Sequence, residues 1–262
     1  MFSTDGAASL QPVLQAEAIT KRFGAIVALQ GVDLSVYPNE VLGLVGDNGA
    51  GKSTLINILS GVFAPSSGRI LLEGNEVAFD SPADARATGI ETVYQEFALA
   101  LNLSVASNIF MGREPTRRGL LRLLYWVDRK AMEREAASEL EHLGIRLGSL
   151  RQRCGQLSGG QRQAVAITRA VAWGSRVILM DEPTAALGVE QQQRVLEMVS
   201  EIKARGLSTV FISHNIEQVH EVCDRVVVLR HGRSVADLRT SEADAQTIVM
   251  WITGALTAAR DL

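Results

Sequence analysis

A glycine-rich loop between an apolar strand and a helix is the feature that most constrains how this chain can fold. The run EVLGLVG at 40–46 is typical of a buried strand, and KSTLINIL at 52–59 is typical of a helix. Between them, the segment GDNGAGKS at 46–53 matches the pattern GxxxxGK[ST] without a gap. This order of strand, loop and helix predicts an α/β fold with the loop at one edge of a sheet.

The chemistry that this loop supports is phosphate binding. Glycines let successive backbone N–H groups turn toward phosphate oxygens, and the helix N-terminus adds positive potential. The Lys52 ammonium can reach terminal phosphates, and the Ser53 hydroxyl can bind Mg²⁺. A glycine-rich turn without a ligand is the alternative, and the complete match in its proper context disfavours it.

A second apolar strand ends in two carboxylates. The run Val-Ile-Leu-Met at 177–180 is followed directly by Asp181 and Glu182. Since ligands of parallel α/β sheets bind at the carboxyl edge, we expect both side chains near the glycine-rich loop. Mg²⁺ prefers hard oxygen ligands, which suits Asp181, and hydrolysis needs a carboxylate that polarises water, which suits Glu182. A strand ending in Asp-Glu is weak evidence alone and becomes strong beside the loop.

The segment LSGGQRQ at 157–163 predicts a second anion-binding surface. Ser158 is expected to cap a helix that runs to about Ala172, with Gly159 and Gly160 in its first turn. A purely structural cap with a tight entry is the simpler interpretation. A cap serine, glycine amides and the positive helix end also form a surface for an anion.

Composition excludes several other classes of protein. The 26 Lys and Arg against 29 Asp and Glu give a net charge of −3, so there is no basic excess and no nucleic acid is expected as a ligand. Cys154 and Cys223 are far apart, so neither a disulfide framework nor a zinc site is indicated, and a reducing cytoplasm fits best. No cationic leader and no run of 18 apolar residues is present, which predicts a soluble, unsecreted chain.

Alternating strand and helix patterns predict a mainly parallel sheet that is covered on both faces. The strand runs RVILMDE, STVFISH and RVVVLRHG enclose helical stretches at 189–204 and 214–222, and another strand, IETVYQ, ends at Gln95. RILLEG and NEVAFD are expected to pair across a Gly74-Asn75 turn.

The stretch between 96 and 155 lacks strand patterns and predicts a helical insertion. Its apolar residues recur at spacings of three and four, and Asp128 and Gly144 are expected to begin and end its second helix. We therefore predict a single domain at 13–240, with a catalytic core at 13–95 and 156–240 and a helical subdomain at 96–155. Residues 241–262 are predicted to form a C-terminal helix and a tail.

The region from about residue 13 to residue 237 resembles the ATP-binding cassette (ABC) ATPases in the order and spacing of its motifs. The resemblance rests on GDNGAGKST, LSGGQRQ and MDEPT in this order. It implies a P-loop NTPase fold with an N-terminal antiparallel β subdomain, a mainly parallel sheet and an inserted α-helical subdomain. It also implies ATP hydrolysis with Mg²⁺, and a head-to-tail pair of cassettes in which each ATP lies between the phosphate loop of one chain and the LSGGQ segment of the other.

The resemblance assigns two sets of nucleotide-binding residues. One set binds phosphates within the chain and consists of Gly46, Asn48, Gly49, Ala50, Gly51, Lys52, Ser53 and Thr54. The other set contacts the nucleotide that the partner chain holds and consists of Ser158, Gly159, Gly160 and Gln161.

Three further positions gain a role through the resemblance. Phe23 resembles the aromatic residue that stacks on adenine, although a single Phe beside a strand is more often a core residue. Gln95 resembles the glutamine that contacts Mg²⁺ or the attacking water. His214 resembles the switch histidine that binds the γ-phosphate, although a lone His after a strand is otherwise an ordinary loop residue. The implied catalytic set is Glu182, His214, Gln95 and Lys52, and the implied metal ligands are Ser53, Gln95 and Asp181.

Gly188 departs from the family pattern. The loop after MDEPT usually carries an aspartate where this chain has Gly188, so a carboxylate role of this loop is missing here. An alternative explanation for Gly188 is a backbone with positive φ before the next helix.

Within the family, the chain is similar to ATP-binding subunits of bacterial carbohydrate importers of the ribose, xylose and fructose type. The similarity rests on the segments VYQEFALALNLSVASNIFMGRE and DEPTAALGVEQQQRV, and Gly188 fits that subgroup. The similarity implies a homodimer, transmembrane permease subunits docked at the helical insertion, a periplasmic sugar-binding protein and a place on the cytoplasmic face of the cell membrane. Because cargo is chosen by the other components, no residue here is expected to contact it. The alternatives are the ATPase subunit of a non-sugar transporter and a soluble ABC ATPase of translation or DNA repair.

Overall fold

The computed structural model describes residues 11–95, 97–116, 126–185 and 187–256, which form two sheets with helices packed around them. The strands are β1 (Leu14–Phe23), β2 (Ile26–Val36), β3 (Val41–Val45), β4 (Ser67–Leu72), β5 (Asn75–Val77), β6 (Ile90–Val93), β7 (Val177–Asp181), β8 (Ser208–Ile212), β9 (Arg225–Arg230) and β10 (Arg233–Arg239). The helices are α1 (Lys52–Leu59), α2 (Pro82–Ala87), α3 (Val105–Ile109), α4 (Arg129–His142), α5 (Gly159–Trp173), α6 (Val189–Ala204), α7 (Ile216–Val222) and α8 (Ala245–Thr253).

The larger sheet has the strand order β10-β9-β3-β8-β7-β6. All its neighbours pair in parallel except β10, which pairs antiparallel with β9. Every residue of β3 and β8 is buried, as expected for strands that are covered on both faces. The predicted mainly parallel sheet is therefore confirmed.

The smaller sheet has the order β2-β1-β4-β5, and its pairs are antiparallel. The expected pairing of β4 with β5 is present, with Ile70 opposite Val77. The turn is Glu73-Gly74, one residue earlier than expected, because both of these residues take positive φ (50° and 79°), the geometry of a tight type I′ hairpin. The N-terminal antiparallel β unit is confirmed.

Helices cover both faces of the larger sheet with separate apolar cores. On one face, Ile56 and Leu59 of α1 pack in a cluster with Leu44 and Val210. On the other face, α5, α6 and α7 contribute to a second cluster around Phe211 and Met180. These clusters fix the loops that leave the carboxyl ends of β3, β7 and β8, where the candidate site lies.

The described part of the insertion contains α3 and α4, which pack on α5. Asp128 caps α4 by accepting a hydrogen bond from the Ala131 amide (3.1 Å), and the helix ends before Gly144, which has φ of +66°. Both predicted ends of this helix are confirmed, whereas Glu96 and 117–125 lie outside the described residues.

Two element boundaries differ from the sequence prediction. Strand β6 ends at Val93, two residues before Gln95. Helix α7 begins at Ile216 rather than at 214, because the Asn215 side chain accepts a hydrogen bond from the Gln218 amide and caps the helix there. The C-terminal helix is α8, and 257–262 lie outside the described residues.

Candidate functional site

Glycines shape the loop between β3 and α1 for two different reasons. A Cβ added at Gly46 would lie 2.1 Å from the Leu229 carbonyl oxygen, and one at Gly51 would lie 2.6 Å from Leu29 Cδ2. These two positions therefore let the loop pack closely on β9 and β2. Gly49 has φ of +82° with no atom within 4 Å of an added Cβ, so the tip of the loop faces open space. The loop is a cradle with room for a ligand.

Lys52 lies along this cradle, at the first position of α1. Its Nζ donates to the carbonyl oxygens of Gly46 (2.6 Å) and Asp47 (3.0 Å). Burial lowers the pKa of Lys52, and the nearby carboxylates, Glu182 first, oppose that effect. The ammonium is held where the loop amides converge, so phosphate oxygens entering the cradle would gain a charged donor.

The other predicted phosphate-binding residues follow the same loop and helix. Asn48 and Ser53 are exposed, Thr54 is half-buried, and Ala50 is buried with its carbonyl oxygen accepting a hydrogen bond from the Gly232 amide (3.0 Å). The structure thus places the Ser53 hydroxyl at the solvent side of the cradle.

Glu182 and His214 meet at the carboxyl edge of the sheet. The register pairs Asp181 of β7 with Ile212 of β8, and the Glu182 amide donates to the Ile212 carbonyl oxygen (3.1 Å). Glu182 Oε2 then lies 2.7 Å from His214 Nδ1. The Glu182 side chain is 16% exposed, whereas the His214 side chain is 72% exposed and open to a ligand.

Glu182 also has strained backbone geometry. Its φ is +51°, in the left-handed region that non-glycine residues rarely adopt. Such strain persists only where surrounding contacts impose it, and it concentrates at functional sites. Here it turns the carboxylate toward His214.

Asp181 lies behind this pair and is half-buried. Burial raises the pKa of Asp181, the Glu182 charge raises it further, and the Lys52 charge opposes both effects. The described residues contain no group of three or more His, Cys, Asp or Glu side chains that could hold a metal alone. A cation here would have few protein ligands and would need phosphate oxygens and water, which is how Mg²⁺ is commonly bound with nucleotides.

The LSGGQ segment forms the capped N-terminus of α5. The Ser158 side chain accepts from the Gln161 amide (3.3 Å), while Gln161 Oε1 accepts from the Ser158 amide (3.1 Å), which is a complete capping box. Among the hydrogen bonds of the described ranges, none joins 158–161 to 46–54. Hydrogen bonds in the described part of the chain thus pair Glu182 with His214 but do not connect the two predicted phosphate surfaces.

Glycine amides remain accessible in the first turn of α5. The nearest atom to a Cβ added at Gly159 is Leu187 Cδ2 at 3.8 Å, whereas one at Gly160 would lie 2.6 Å from Gln191 Cγ. Gly160 is therefore needed for close packing on α6, and Gly159 is not. The Gln161 side chain is engaged in the capping box rather than free.

Phe23 lies at the end of β1 and is 42% exposed, so the core interpretation is wrong. Its ring packs edge-on against Phe63, with centroids 5.4 Å apart, and Lys21 Nζ lies 5.2 Å from the ring centre. Phe63 was not singled out from the sequence because a single Phe in a loop gives no pattern. The two rings form an exposed aromatic surface.

Gln95 is exposed in the turn that follows β6. Arg169 of α5 holds this turn by donating to the carbonyl oxygens of Ala98 (2.7 Å) and Phe97 (3.3 Å). Burial lowers the pKa of Arg169. The sequence analysis missed this residue, although an arginine inside the apolar stretch AVAITRAV is a detectable signal.

Gly188 has φ of −70° and ψ of 163° and is the N-cap residue of α6. The interpretation of Gly188 as a positive-φ position is therefore wrong. A Cβ added there would meet only the movable Oε1 of Gln191, at 2.6 Å. Because a helix cap favours extended geometry and a polar side chain, Gly188 is not required by its backbone.

The fold and this site define a nucleotide-hydrolysing P-loop ATPase domain. A protein-family model described as "ABC transporter" matches residues 29–185, more than half of the chain. The chain therefore belongs to the ABC transporter family, as the ATP-binding and ATP-hydrolysing domain.

Curated relatives align over most of the chain. The fructose import ATP-binding protein FrcA of Rhizobium meliloti is 45% identical over 247 residues, 94% of this chain and 95% of that protein. The xylose/arabinose import ATP-binding protein XylG of Sulfolobus acidocaldarius is 43% identical over 91% of this chain and 93% of that protein. The ribose import ATP-binding protein RbsA 1 of Rubrobacter xylanophilus is 46% identical, and the alignment spans 94% of this chain and 48% of that protein.

Solved structures agree on the fold. A nucleotide-free ATP-binding cassette from an ABC transporter superposes with a TM-score of 0.77 at 29% identity, over 91% of this chain and 95% of that one. The ADP conformation of the cassette MJ1267 gives a TM-score of 0.75 at 29% identity, over 92% and 95% of the two chains.

We expect Asp181→Asn to stabilise the nucleotide-free protein at pH 7. Because the pKa of Asp181 is raised on folding, its charged form costs free energy in the folded state whenever the pH exceeds that pKa. The melting temperature should rise by about 2 °C at pH 7, and the gain should shrink as the pH falls toward about 4. Exposed Asp80→Asn is the control, with no such gain. A lower melting temperature for Asp181→Asn at pH 7 would contradict this electrostatic account.

We expect Gly188→Asp to be tolerated or mildly stabilising. Aspartate is a better N-cap than glycine by a few tenths of a kcal/mol, so the unfolding midpoint in urea should stay equal or rise. ATP turnover should change by less than about tenfold, because a new charge at this exposed position changes an interaction free energy by about 1 kcal/mol or less. A marked loss of stability would restore the strained-backbone explanation that the φ of Gly188 argues against.

Proposed function

We propose that this chain is the ATP-hydrolysing subunit of an ABC importer that energises monosaccharide uptake through a separate permease. The observation that carries the catalytic part is the 2.7 Å contact between Glu182 and His214 beside the phosphate cradle. The sugar part is supported by relatives named for fructose, ribose and xylose/arabinose import, of which two align over more than nine tenths of both chains.

In this proposal, the glycine loop and Lys52 bind the β- and γ-phosphates of ATP. The ammonium exchanges its two carbonyl partners for phosphate oxygens and stabilises charge that develops during transfer. The exposed Phe23 ring stacks on adenine, and an aromatic face of this kind tolerates several bases. The residues that fit Mg²⁺ are Ser53, Asp181 and Gln95, and the ion would neutralise phosphate charge there.

Glu182 is the proposed base that accepts a proton from the attacking water. His214 donates from Nδ1 to the Glu182 carboxylate in the nucleotide-free chain, and its exposed ring is free to turn toward a γ-phosphate. Gln95, in the turn after the neighbouring strand β6, would orient the water. The hydrolysis thus needs no carboxylate at position 188.

The LSGGQ segment is proposed to act on the nucleotide of a second copy. Ser158, Gly159 and Gly160 offer an anion surface at the N-terminus of α5, and two chains placed head to tail would let each surface meet the cradle of the other chain. Because one chain carries both a phosphate cradle and an LSGGQ surface, a homodimer is the proposed active form.

A groove beside Gln95 is the proposed permease contact. It has a volume of about 370 Å³, and its lining includes Arg86, Glu91, Tyr94, Met111 and Trp173. Burial raises the pKa of Glu91, although the Arg113 guanidinium lies 2.9 Å away and opposes this effect.

Met111 lines the groove and is exposed, and Leu101 and Leu103 of the same insertion are also exposed. These apolar side chains would accept an apolar helix of a permease subunit. Docking there would hold the chain at the cytoplasmic face of the membrane, with a periplasmic sugar-binding protein engaging it only indirectly. Among the described residues, no helix is long and apolar enough to cross a bilayer.

We expect ATP to drive dimerisation of the Glu182→Gln variant. With hydrolysis blocked, ATP with Mg²⁺ binds the closed pair better than the open one and shifts the equilibrium toward it. Size-exclusion chromatography should show conversion from monomer to dimer. The control is Glu182→Gln with Lys52→Ala, which should remain monomeric. A monomeric Glu182→Gln protein with ATP binding confirmed would contradict the sandwich.

We also expect loss of this subunit to abolish uptake of at least one monosaccharide. Cells that lack the chain would be tested with labelled fructose, ribose, xylose and arabinose, and rescued with wild-type or Glu182→Gln protein. Uptake of at least one of these sugars should be lost in the deletion and return only with the wild type, because Glu182→Gln lowers hydrolysis by at least about a hundredfold. Unchanged uptake of all four sugars would contradict sugar import. It would not affect the assignment of ATP hydrolysis, which is measured separately.

A further inference from the structure

Three polar side chains beneath the Glu182 loop form one hydrogen-bonded chain. The Thr184 hydroxyl donates to Gln218 Oε1 (2.7 Å), and Gln218 Nε2 donates to Gln192 Oε1 (2.9 Å). Gln192 Nε2 then donates to the Leu187 carbonyl oxygen (3.0 Å) and, at 3.4 Å, to that of Thr184. Thr184 and Gln218 are buried, at 4% and 7% exposure. Gln192 is half-buried. Carboxamides that are bonded at both ends and shielded from water restrict the geometry of the segments that they join.

This chain of hydrogen bonds joins the two segments that carry the proposed chemistry. Both of its ends lie on the segment that follows Glu182, at the Thr184 hydroxyl and at the carbonyl oxygens of Thr184 and Leu187. Its middle includes Gln218 of α7, and the cap of that helix, Asn215, directly follows His214. The Asn215 amide donates to Ser213 Oγ (3.0 Å), so His214 lies between two residues that are fixed to the same helix end.

The direction of the bonds requires amides at both positions. Each carboxamide accepts from one neighbour and donates to the next, from Thr184 through Gln218 and Gln192 to the Leu187 carbonyl oxygen. A carboxylate at position 192 would still accept from Gln218 but could not donate to a carbonyl oxygen. A near-isosteric change can thus break one link alone.

Gly188 explains why the loop needs this support. As the N-cap of α6 it offers no side-chain bond to the helix, so the loop before it lacks the usual anchor. Gln192, in the first turn of the same helix, bonds to the loop carbonyls instead. The strained φ of Glu182, +51°, also needs surrounding contacts to persist.

We propose that Gln192 and Gln218 are positioning residues for ATP hydrolysis. They tie Thr184 and Leu187 to α6 and α7 so that the Glu182 carboxylate and the His214 ring remain paired. This inference rests on the proposed roles of Glu182 and His214. Leu187 also approaches Gly159 of the LSGGQ segment, since its Cδ2 would lie 3.8 Å from a Cβ added there. The same series of hydrogen bonds therefore connects Glu182 and His214 to the LSGGQ surface that is proposed to complete the partner's site.

The test is the Gln192→Glu variant of the full chain, assayed for steady-state ATP hydrolysis. We expect kcat to fall by about tenfold or more while the KM for ATP stays within about twofold, because misplacing reacting groups by a fraction of an ångström affects turnover rather than nucleotide binding. The matched control is Gln193→Glu, the adjacent exposed residue, whose side-chain amide donates to Glu221 (3.1 Å). It carries the same new charge and should keep kcat within about twofold.

A second variant, Gln218→Met, removes the central link without burying a charge. It should lower kcat in the same way. The kcat of the double variant Gln192→Glu with Gln218→Met should be no lower than that of the less active single variant, because both changes break the same series of hydrogen bonds. Rates would be compared well below the melting temperature of each protein. A structural role alone would lower that temperature and leave kcat intact, and this result would overturn the inference.

Glu182→Gln in the same assay separates the inference from the proposed function. If Glu182→Gln loses activity while Gln192→Glu and Gln218→Met keep kcat near that of the Gln193→Glu control, the positioning role is wrong and the catalytic role stands. If Glu182→Gln keeps its activity, the catalytic assignment is wrong, and the positioning role is wrong with it.

Discussion

The parallel pairing of β8 with both β3 and β7 is the interaction on which the site depends. Leu44 pairs with Ile212, and Asp181 pairs with the same residue from the other side. Three loops therefore leave one sheet edge together, carrying the phosphate cradle, Glu182 and His214. Because a parallel register fixes side chains to within one residue, a slip of one position would turn Asp181 and Glu182 away from the cradle.

Charge and strain at this edge follow from that alignment. The Lys52 ammonium, Asp181 and Glu182 are partly withdrawn from water, so burial disfavours the charges of Lys52 and Asp181. A nucleotide with its cation would supply the opposite charges that the nucleotide-free edge lacks. The hydrogen-bonded side chains of Thr184, Gln218 and Gln192 hold the Glu182 segment in place. They add no further charge to this edge of the sheet. Stability and catalysis thus place different demands on the same few residues.

Much of this could be predicted from the sequence because its signals are local. The strand-loop-helix order around the glycine-rich loop, the Asp128 cap and the alternation of strands with helices depend on neighbouring residues, and each is confirmed. The missed features depend on distant contacts: Phe63 beside Phe23, Arg169 on the turn after Gln95, and Gln192 with Gln218. A glycine in a sequence permits a positive φ but does not show that the backbone adopts one. The positive-φ explanation of Gly188 was wrong for this reason. The roles of Lys52, Glu182 and the LSGGQ residues stay predictions until variants are assayed.

The central claim is that each ATP site is built from two chains, and mixing two inactive variants tests it most directly. Lys52→Ala disables the phosphate loop, and Gly159→Asp places a negative charge on the LSGGQ surface at a position with room for a side chain. Each protein alone should be inactive. In an equal mixture, half of the dimers contain one intact site, so ATP hydrolysis should recover to about a quarter of the wild-type rate. A mixture that remains as inactive as its separate components would contradict the shared site.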